Sequence, residues 1–129
     1  MELKKLNVSG RGVKIILEEN GQQIGRGFLY LLTNYLHDQP FGFIEDVFVD
    51  EAFRSKGYGK KITDAIIEEA KKQGCYKLIC TSRFSNERAH HLYEKLGFKK
   101  HGNEFRMDFW KNKVHRPYRQ SLVLIPQIF

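Results

Sequence analysis

The hydrophobic period of the sequence changes near residue 57, and this change constrains the fold more than any other feature. Before it, "FGFIEDVFVD" is apolar on both faces toward its end, which is typical of a strand inside a sheet. After it, apolar residues recur every fourth position as far as Gly74, which predicts an amphipathic helix. "CYKLICTS" then reads as another strand. Because a strand–helix–strand crossover pairs its strands in parallel, the sequence predicts an α/β domain.

Four further segments complete the predicted order of elements. "GVKIILEEN" and "IGRGFLYLLTN" read as two strands, and "NGQQ" has the composition of a hairpin turn. "NERAHHLYEKLGF" has an apolar stripe at helical spacing, with Ser85 or Asn86 as its cap and Gly97 at its end. "EFRMDFW" is predicted to be a last strand. The predicted fold is a mixed β-sheet, with an antiparallel N-terminal meander and a parallel central pair, on which helices pack.

No linker, repeat or low-complexity block divides the 129 residues, so we expect one domain over residues 1–110. The remaining segment, 111–129, fits the predicted order poorly. Its "SLVLI" run could form an extra strand, or an apolar arm that docks on a second copy of the chain in a homodimer. A disordered tail is the competing interpretation.

The composition is that of a globular domain with excess positive charge. Its 22 Lys and Arg residues outnumber its 15 Asp and Glu residues, which gives a formal net charge of +7. That balance favours an anionic partner, although solvated surface charge explains it equally well. Apolar runs such as "FLYLL" are too short to cross a bilayer, and the N-terminus lacks a signal-peptide core. We therefore expect a cytoplasmic location and no membrane partner.

The cysteines and histidines do not form a metal-binding pattern. Cys75 and Cys80 face opposite sides of a strand, which disfavours a disulfide between them, and their spacing fits no zinc motif. Two small apolar residues in the interior are the favoured interpretation. His90 and His91 are adjacent on the second helix and point apart. No metal site is predicted.

The stretch "RSKGYGK" lies where the central strand turns into the long helix. A helix N-terminus presents free backbone N–H groups and the positive end of the helix dipole, so phosphate binds there readily. Its glycines allow a ligand close to the backbone, and its cations add charge. A turn that only links strand to helix is also compatible with these residue types. The candidate phosphate-binding residues are Arg54, Ser55, Lys56, Gly57, Tyr58, Gly59 and Lys60.

Two motifs resemble the signatures of the GNAT superfamily of N-acetyltransferases. The first is R-x-x-G-x-G, from Arg54 to Gly59, which resembles the acetyl-CoA pyrophosphate loop of that family. Within the superfamily, "IEDVFVD" and "GCYKL" are most similar to the glucosamine-phosphate N-acetyltransferases. The second motif is N-x-x-A-x-x-x-Y-x-x-x-G-F, matched by Asn86, Ala89, Tyr93, Gly97 and Phe98.

The resemblance implies an acetyl-CoA-dependent N-acetyltransferase in which a primary amine attacks the thioester directly. It implies that residues 54–60 hold the pyrophosphate and that Asn86 contacts the cofactor, although Asn86 is equally suited to cap the helix. The backbone of Phe48 and Val49 would bond to the pantetheine arm. The acceptor stays open among an amino-sugar phosphate, a polyamine or other small amine, and a protein amine.

Three residues are candidates for acid–base chemistry. Tyr93 matches the family's helix tyrosine, which implies that it protonates the leaving thiolate, although a tyrosine in an apolar stripe is usually core. Glu45 and Asp46 are adjacent carboxylates in a strand, and either could take the amine proton. Since adjacent strand residues face opposite sides, only a distortion of the strand would aim both at one site. Glu45 is the favoured base, and the resemblance suggests Asp46 as an acceptor contact.

The chain departs from the family at both ends. Little sequence precedes the first strand, so we expect the N-terminal helices, which often wall the acceptor pocket, to be reduced. Arg106 lies near where the amino-sugar-phosphate enzymes place a cation, but an exposed surface arginine is the favoured interpretation. A catalytically silent acyl-CoA sensor and a basic nucleic-acid-binding module are the alternative functions. The cations are spread from Lys4 to Arg119, which disfavours the nucleic-acid module.

Overall fold

The computed structural model describes residues 1–110, so the extra strand or dimer arm predicted at 111–129 lies outside the described residues. In chain order the elements are β1 Gly10–Glu19, β2 Gln22–Leu32, β3 Phe41–Val49, α1 Tyr58–Lys72, β4 Leu78–Ile79 and α2 Glu87–Lys95. The strands form one sheet in the order β1-β2-β3-β4. The first two pairings are antiparallel and the pairing of β3 with β4 is parallel. The predicted mixed α/β sheet is confirmed.

A two-residue turn closes the hairpin of β1 and β2. Asn20 and Gly21 both have positive φ, 52° and 78°, which is the conformation of turns whose twist matches that of the flanking strands. Glu19 and Gln22 pair directly across it. The hairpin turn predicted from "NGQQ" is therefore confirmed.

Helix α1 packs its apolar stripe on one face of the sheet. Two glycines of β2 permit its close approach, because a Cβ on Gly27 would lie 2.8 Å from Ile66 Cδ1 and one on Gly25 would lie 2.8 Å from Ile62 Cδ1. Burial of this stripe holds α1, and the loop at its N-terminus, against the sheet. The buried core cluster consists of Leu29, Leu31, Ile44, Ile62, Ile66 and Ala70.

The opposite face of the sheet carries exposed apolar side chains. Successive strand residues point to opposite faces, so Tyr30 and Leu32 of β2 point away from α1, and each is 39% exposed. Ile16 and Phe48 lie on the same face and are also exposed. Within residues 1–110, no helix lies before β1 or between β1 and β2.

A β-bulge interrupts the ladder between β2 and β3. In the register of the two strands, Gly27 lies opposite two residues of β3, Asp46 and Val47. Asp46 takes a φ of 50°, in the left-handed region that side chains other than glycine seldom adopt. This bulge is the kind of strand distortion that the adjacent carboxylates of Glu45 and Asp46 need in order to face the same site.

At the far end of the sheet, the predicted fourth strand is confirmed in part and the predicted last strand is wrong. The fourth strand forms only at Leu78–Ile79, much shorter than "CYKLICTS". The last strand predicted from "EFRMDFW" is not formed: residues 104–110 are irregular, and Phe105 and Trp110 are 93% and 86% exposed. An added strand needs a neighbour with a continuous row of N–H and C=O groups, and a two-residue strand offers very few.

Helix α2 starts at the predicted cap and carries no fully buried residue. The side-chain oxygen of Asn86 accepts a hydrogen bond from the Ala89 N–H at 3.1 Å, and Gly97 follows the helix with a φ of 102°. The predicted cap and stop are both confirmed. Cys75 and Cys80 are free thiols in partly buried positions, in line with the predicted absence of a disulfide between them. No helix in residues 1–110 combines the length and apolar character that a membrane span requires.

Candidate functional site

Residues 54–60, called here the phosphate loop, lead from a short 3₁₀ turn at Glu51–Phe53 into α1. Gly57 caps the helix with a φ of 83°, a conformation that favours glycine, and no side chain caps this end. The first backbone bond into the helix runs from the Lys61 N–H to the Gly57 carbonyl at 3.1 Å. The N–H groups before Lys61 are therefore free of helical partners, as at any helix start, and offer donors to an anion.

The space in front of the phosphate loop is open. A Cβ built on Gly57 or on Gly59 would meet no heavy atom within 4 Å. Packing inside the chain therefore does not explain why both positions are glycine, whereas at Gly25 and Gly27 it does. Bare backbone, free N–H donors and the positive end of a helix dipole fit the pyrophosphate of a CoA molecule.

Two of the predicted phosphate-loop cations have partners inside the chain. Arg54 Nε donates to the Val49 carbonyl at 2.8 Å, and its guanidinium carbon lies 5.2 Å from the centroid of the Phe48 ring. Lys60 Nζ lies 2.7 Å from Asp64 Oδ2, one turn further along α1. Arg54 therefore ties the loop to the end of β3, in addition to placing charge near it.

The other side chains of the loop face different surroundings. Ser55 has a φ of 66°, and its hydroxyl accepts a hydrogen bond from Arg88 Nη2 at 2.8 Å. Lys56 Nζ lies 5.6 Å from the centroid of the Phe53 ring. Tyr58, the first residue of α1, is half-buried.

The strand pair β3–β4 opens toward the phosphate loop. These strands pair only at Gly42 with Leu78 and at Phe43 with Ile79. Beyond Phe43, the edge of β3 that faces β4 has no ladder partner among the described residues. Phe48 and Val49, the predicted contacts of the pantetheine arm, lie on this free stretch. A strand edge without a partner offers N–H and C=O groups to an extended amide chain such as pantetheine.

The two candidate carboxylates have different partners. The Arg26 side chain contacts the Asp46 carboxylate at 3.2 Å and also lies over Phe48, 4.8 Å from the ring centroid. Glu45 is exposed, and its charge acts on Tyr93 of α2. The register places Glu45 opposite Phe28, and Phe28 shares one face of β2 with Arg26, so the bulge brings both carboxylates to the same face of the sheet.

Tyr93 lies in a partly buried position on α2. Burial raises the pKa of Tyr93 above its usual value of 10.0, and negative charge on Cys80 or Glu45 raises it further. The ring packs edge-on against Phe98, with centroids 5.6 Å apart. The hydroxyl therefore holds its proton at neutral pH, as a proton donor must.

Arg106 takes no part in this arrangement within the described residues. Its guanidinium bonds to Asp108 at 2.8 Å, and its side chain is 68% exposed. The favoured interpretation of Arg106 as a surface residue is confirmed.

Sequence reasoning did not single out Arg26 or Arg88. The partner of Arg26 depends on the bulge at Asp46, for which the sequence carries no local signal. Arg88 had a signal that could have been used: it lies in the second motif, two residues after Asn86, in the first turn of α2. A cation there opposes the helix dipole, which makes it an unusual choice.

The fold and these motifs together define the family. Residues 4–98 match the model of the Acetyltransferase (GNAT) family. The chain belongs to the GNAT family of acetyltransferases.

Two named relatives show which acetyltransferases this chain resembles in sequence. A glucosamine 6-phosphate N-acetyltransferase of Trypanosoma brucei brucei is 34% identical over 92 residues, which is 70% of this chain and 60% of the relative. One from Arabidopsis thaliana is 43% identical over 81 residues, 62% of this chain and 52% of the relative. The chain therefore spans between about half and three fifths of the length of these curated relatives.

A solved structure agrees with these similarities. The crystal structure of glucosamine-6-phosphate N-acetyltransferase from Arabidopsis thaliana superposes with a TM-score of 0.68 at 31% identity. The match covers 76% of this chain and 67% of that one. The chain is thus similar to glucosamine 6-phosphate N-acetyltransferases both in sequence and in fold.

Proposed function

We propose that this protein transfers the acetyl group of acetyl-CoA to the primary amine of a small amino-sugar phosphate. The observation that carries the proposal is spatial. The unpaired edge of β3 includes Glu45 and leads through the 3₁₀ turn into the uncapped phosphate loop, and the charge of Glu45 raises the pKa of Tyr93 on α2. An anion site, an amide-binding edge and an acid–base pair in that order suit an acyl-CoA whose thioester end reaches the pair.

In this proposal, different parts of the chain bind different parts of acetyl-CoA. Acetyl-CoA supplies an acetyl thioester. The backbone N–H groups of the phosphate loop hold its pyrophosphate, and the free backbone at Phe48 and Val49 bonds to its pantetheine arm. Asn86 caps the helix that carries Tyr93 and so fixes the position of that tyrosine.

The proposed chemistry forms an amide bond and breaks the carbon–sulfur bond of the thioester. Glu45 takes a proton from the acceptor ammonium, directly or through water, so that the neutral amine nitrogen attacks the thioester carbon. The Tyr93 hydroxyl gives its proton to the departing thiolate sulfur, and the second amine proton, released as the amide forms, returns to the tyrosinate directly or through water. Asp46, held by Arg26, lies beside this point and is the proposed contact for polar groups of the acceptor.

Two observations support an amino-sugar phosphate as the acceptor. The relatives described above are named glucosamine 6-phosphate N-acetyltransferases. The net charge of +7 also favours an anionic acceptor over a polycationic amine. The homodimer, the cytoplasmic location and the arm or strand at 111–129 remain predictions.

The test is a thiol-release assay with acetyl-CoA and a matched panel of amines. We expect release of CoA thiol with glucosamine 6-phosphate, much less with glucosamine, which lacks the phosphate, and least with spermidine. Turnover of spermidine or of a peptide amine in preference to the sugar phosphate would overturn the acceptor assignment. CoA binding without thiol release for any amine would replace the enzyme by an acyl-CoA sensor.

A further inference from the structure

We propose that Arg88 is the positioning residue of the phosphate loop: from α2 it holds Ser55 in the conformation that opens the loop to a CoA pyrophosphate. This inference rests on the proposed use of CoA and names a residue that the motifs assign no role. Arg88 Nη2 donates to the Ser55 hydroxyl at 2.8 Å, and the two residues are 33 positions apart in the chain.

The conformation of Ser55 needs an external support. Its φ of 66° lies in the left-handed region, which a serine adopts at a cost in energy. Neighbouring Gly57 also has a positive φ, but glycine pays no such cost. A hydrogen bond from a charged donor is strong enough to hold a serine in this region. Without Arg88, the loop is free to relax from the conformation that turns its N–H groups outward.

The position of Arg88 on its own helix favours a function over a structural role within α2. It lies in the first turn of α2, where the helix dipole disfavours a cation. It is exposed, and the only hydrogen bond that its side chain makes to another described residue is the one to Ser55. A guanidinium has five N–H donors, so donors remain for a phosphate oxygen once Ser55 is bound.

Two of the neighbouring cations have other partners. Arg54 donates to the Val49 carbonyl, and Lys60 pairs with Asp64. Arg88 alone connects the phosphate loop to α2 by a hydrogen bond among the described residues, and α2 is the helix that carries Tyr93. The bond thus joins the helix of the acid–base pair to the site of the cofactor phosphates.

The test compares Arg88→Ala with Lys95→Ala, which removes a cation from the far end of the same helix without touching the loop. We expect calorimetry to show CoA binding about tenfold weaker in Arg88→Ala, the scale of one charged hydrogen bond, and unchanged in Lys95→Ala. Ser55→Ala should show a similar loss. The double variant should bind no more weakly than Arg88→Ala alone, because both single changes remove the same bond.

A second readout separates this role from general damage to α2. Acetyl-pantetheine carries the thioester but no pyrophosphate, so Arg88→Ala should lower kcat/KM for acetyl-CoA and leave kcat/KM for acetyl-pantetheine unchanged. Equal losses with both thioesters would make Arg88 a structural residue of α2 and overturn the inference. Unchanged CoA binding in Arg88→Ala would also overturn it while leaving the proposed function intact. Failure of the wild-type chain to bind CoA would overturn both.

Discussion

Glu45 and Asp46 are neighbours in sequence, yet they have different surroundings. The bulge at Asp46 turns that carboxylate to Arg26, while the charge of Glu45 acts on Tyr93. An ordinary strand would place these neighbours on opposite faces, whereas the bulge, with Asp46 at a positive φ, brings both to the face that carries Arg26 and Phe28. Glu45 therefore stays the predicted base, and Asp46, paired with Arg26, stays the predicted acceptor contact.

At the same scale, Tyr93→Phe tests the proposed proton donor. Loss of the hydroxyl should lower kcat by about ten- to a thousandfold, the range of one general acid, and leave CoA binding nearly unchanged. Tyr76→Phe is the matched control, because the Tyr76 ring packs on His37 at 4.4 Å and has no proposed role. A full rate of thiol release in Tyr93→Phe would remove the tyrosine from the mechanism.

At the scale of elements, glycines act in two different ways. Gly25 and Gly27 let α1 lie close to β2, so they serve packing. Gly57 and Gly59 border open space, so they leave the backbone of the phosphate loop bare. The position of the loop in space depends on the first pair, and its access to a ligand depends on the second.

This contrast predicts that two Gly→Ala variants change the free energy of unfolding in opposite directions. A Cβ at Gly27 would lie 2.8 Å from Ile66 and 2.9 Å from Ile62. Gly27→Ala should lower the free energy of unfolding by about 1–3 kcal/mol, as overpacking does. Gly59→Ala should raise it by about 0.5–1 kcal/mol through helix propensity, yet weaken CoA binding because the methyl group occupies the ligand's space.

Urea unfolding and CoA calorimetry on both variants supply the measurements. A Gly27→Ala variant as stable as the wild type would show that α1 tolerates displacement from β2. Undiminished CoA binding by Gly59→Ala would show that no phosphate approaches the backbone there.

At the scale of the whole molecule, stability at high pH depends on groups that folding shields from water. Burial raises the pKa of the Cys80 thiol from 9.0 to about 11. Below pH 9 the thiol is protonated in both the folded and the unfolded chain and adds no pH dependence. Between these two values the unfolded chain releases the proton and the folded chain keeps it, so rising pH favours unfolding.

We therefore expect the free energy of unfolding to fall as pH rises from 9.0 to about 11, and to fall less steeply in Cys80→Ala. Urea midpoints measured across this interval provide the check. Burial also raises the pKa of Cys75, and Cys75→Ala should keep the contribution of Cys80. An identical slope in Cys80→Ala and the wild type would contradict the shielding of this thiol.

Local signals determined most of the elements. Periodicity predicted the first three strands and both helices, and Asn20–Gly21, Gly57, Asn86 and Gly97 marked turns, caps and ends that the structure contains. The same motifs indicated the family, since they are short and continuous in the chain. These features succeed because backbone conformation and the burial of one face are decided within a few neighbouring residues.

The tertiary structure alone decided how these pieces meet. The bond between Asp46 and Arg26 and the bond between Ser55 and Arg88 each join segments that are distant in sequence. The short length of β4 and the irregular backbone at 104–110 depend in the same way on which strands are available as partners. Strand pairing and charge pairing depend on partners that the local sequence does not specify. The sequence by itself determined the elements and the family, and only the assembled sheet decided that Asp46 pairs with Arg26 and that Ser55 bonds to Arg88.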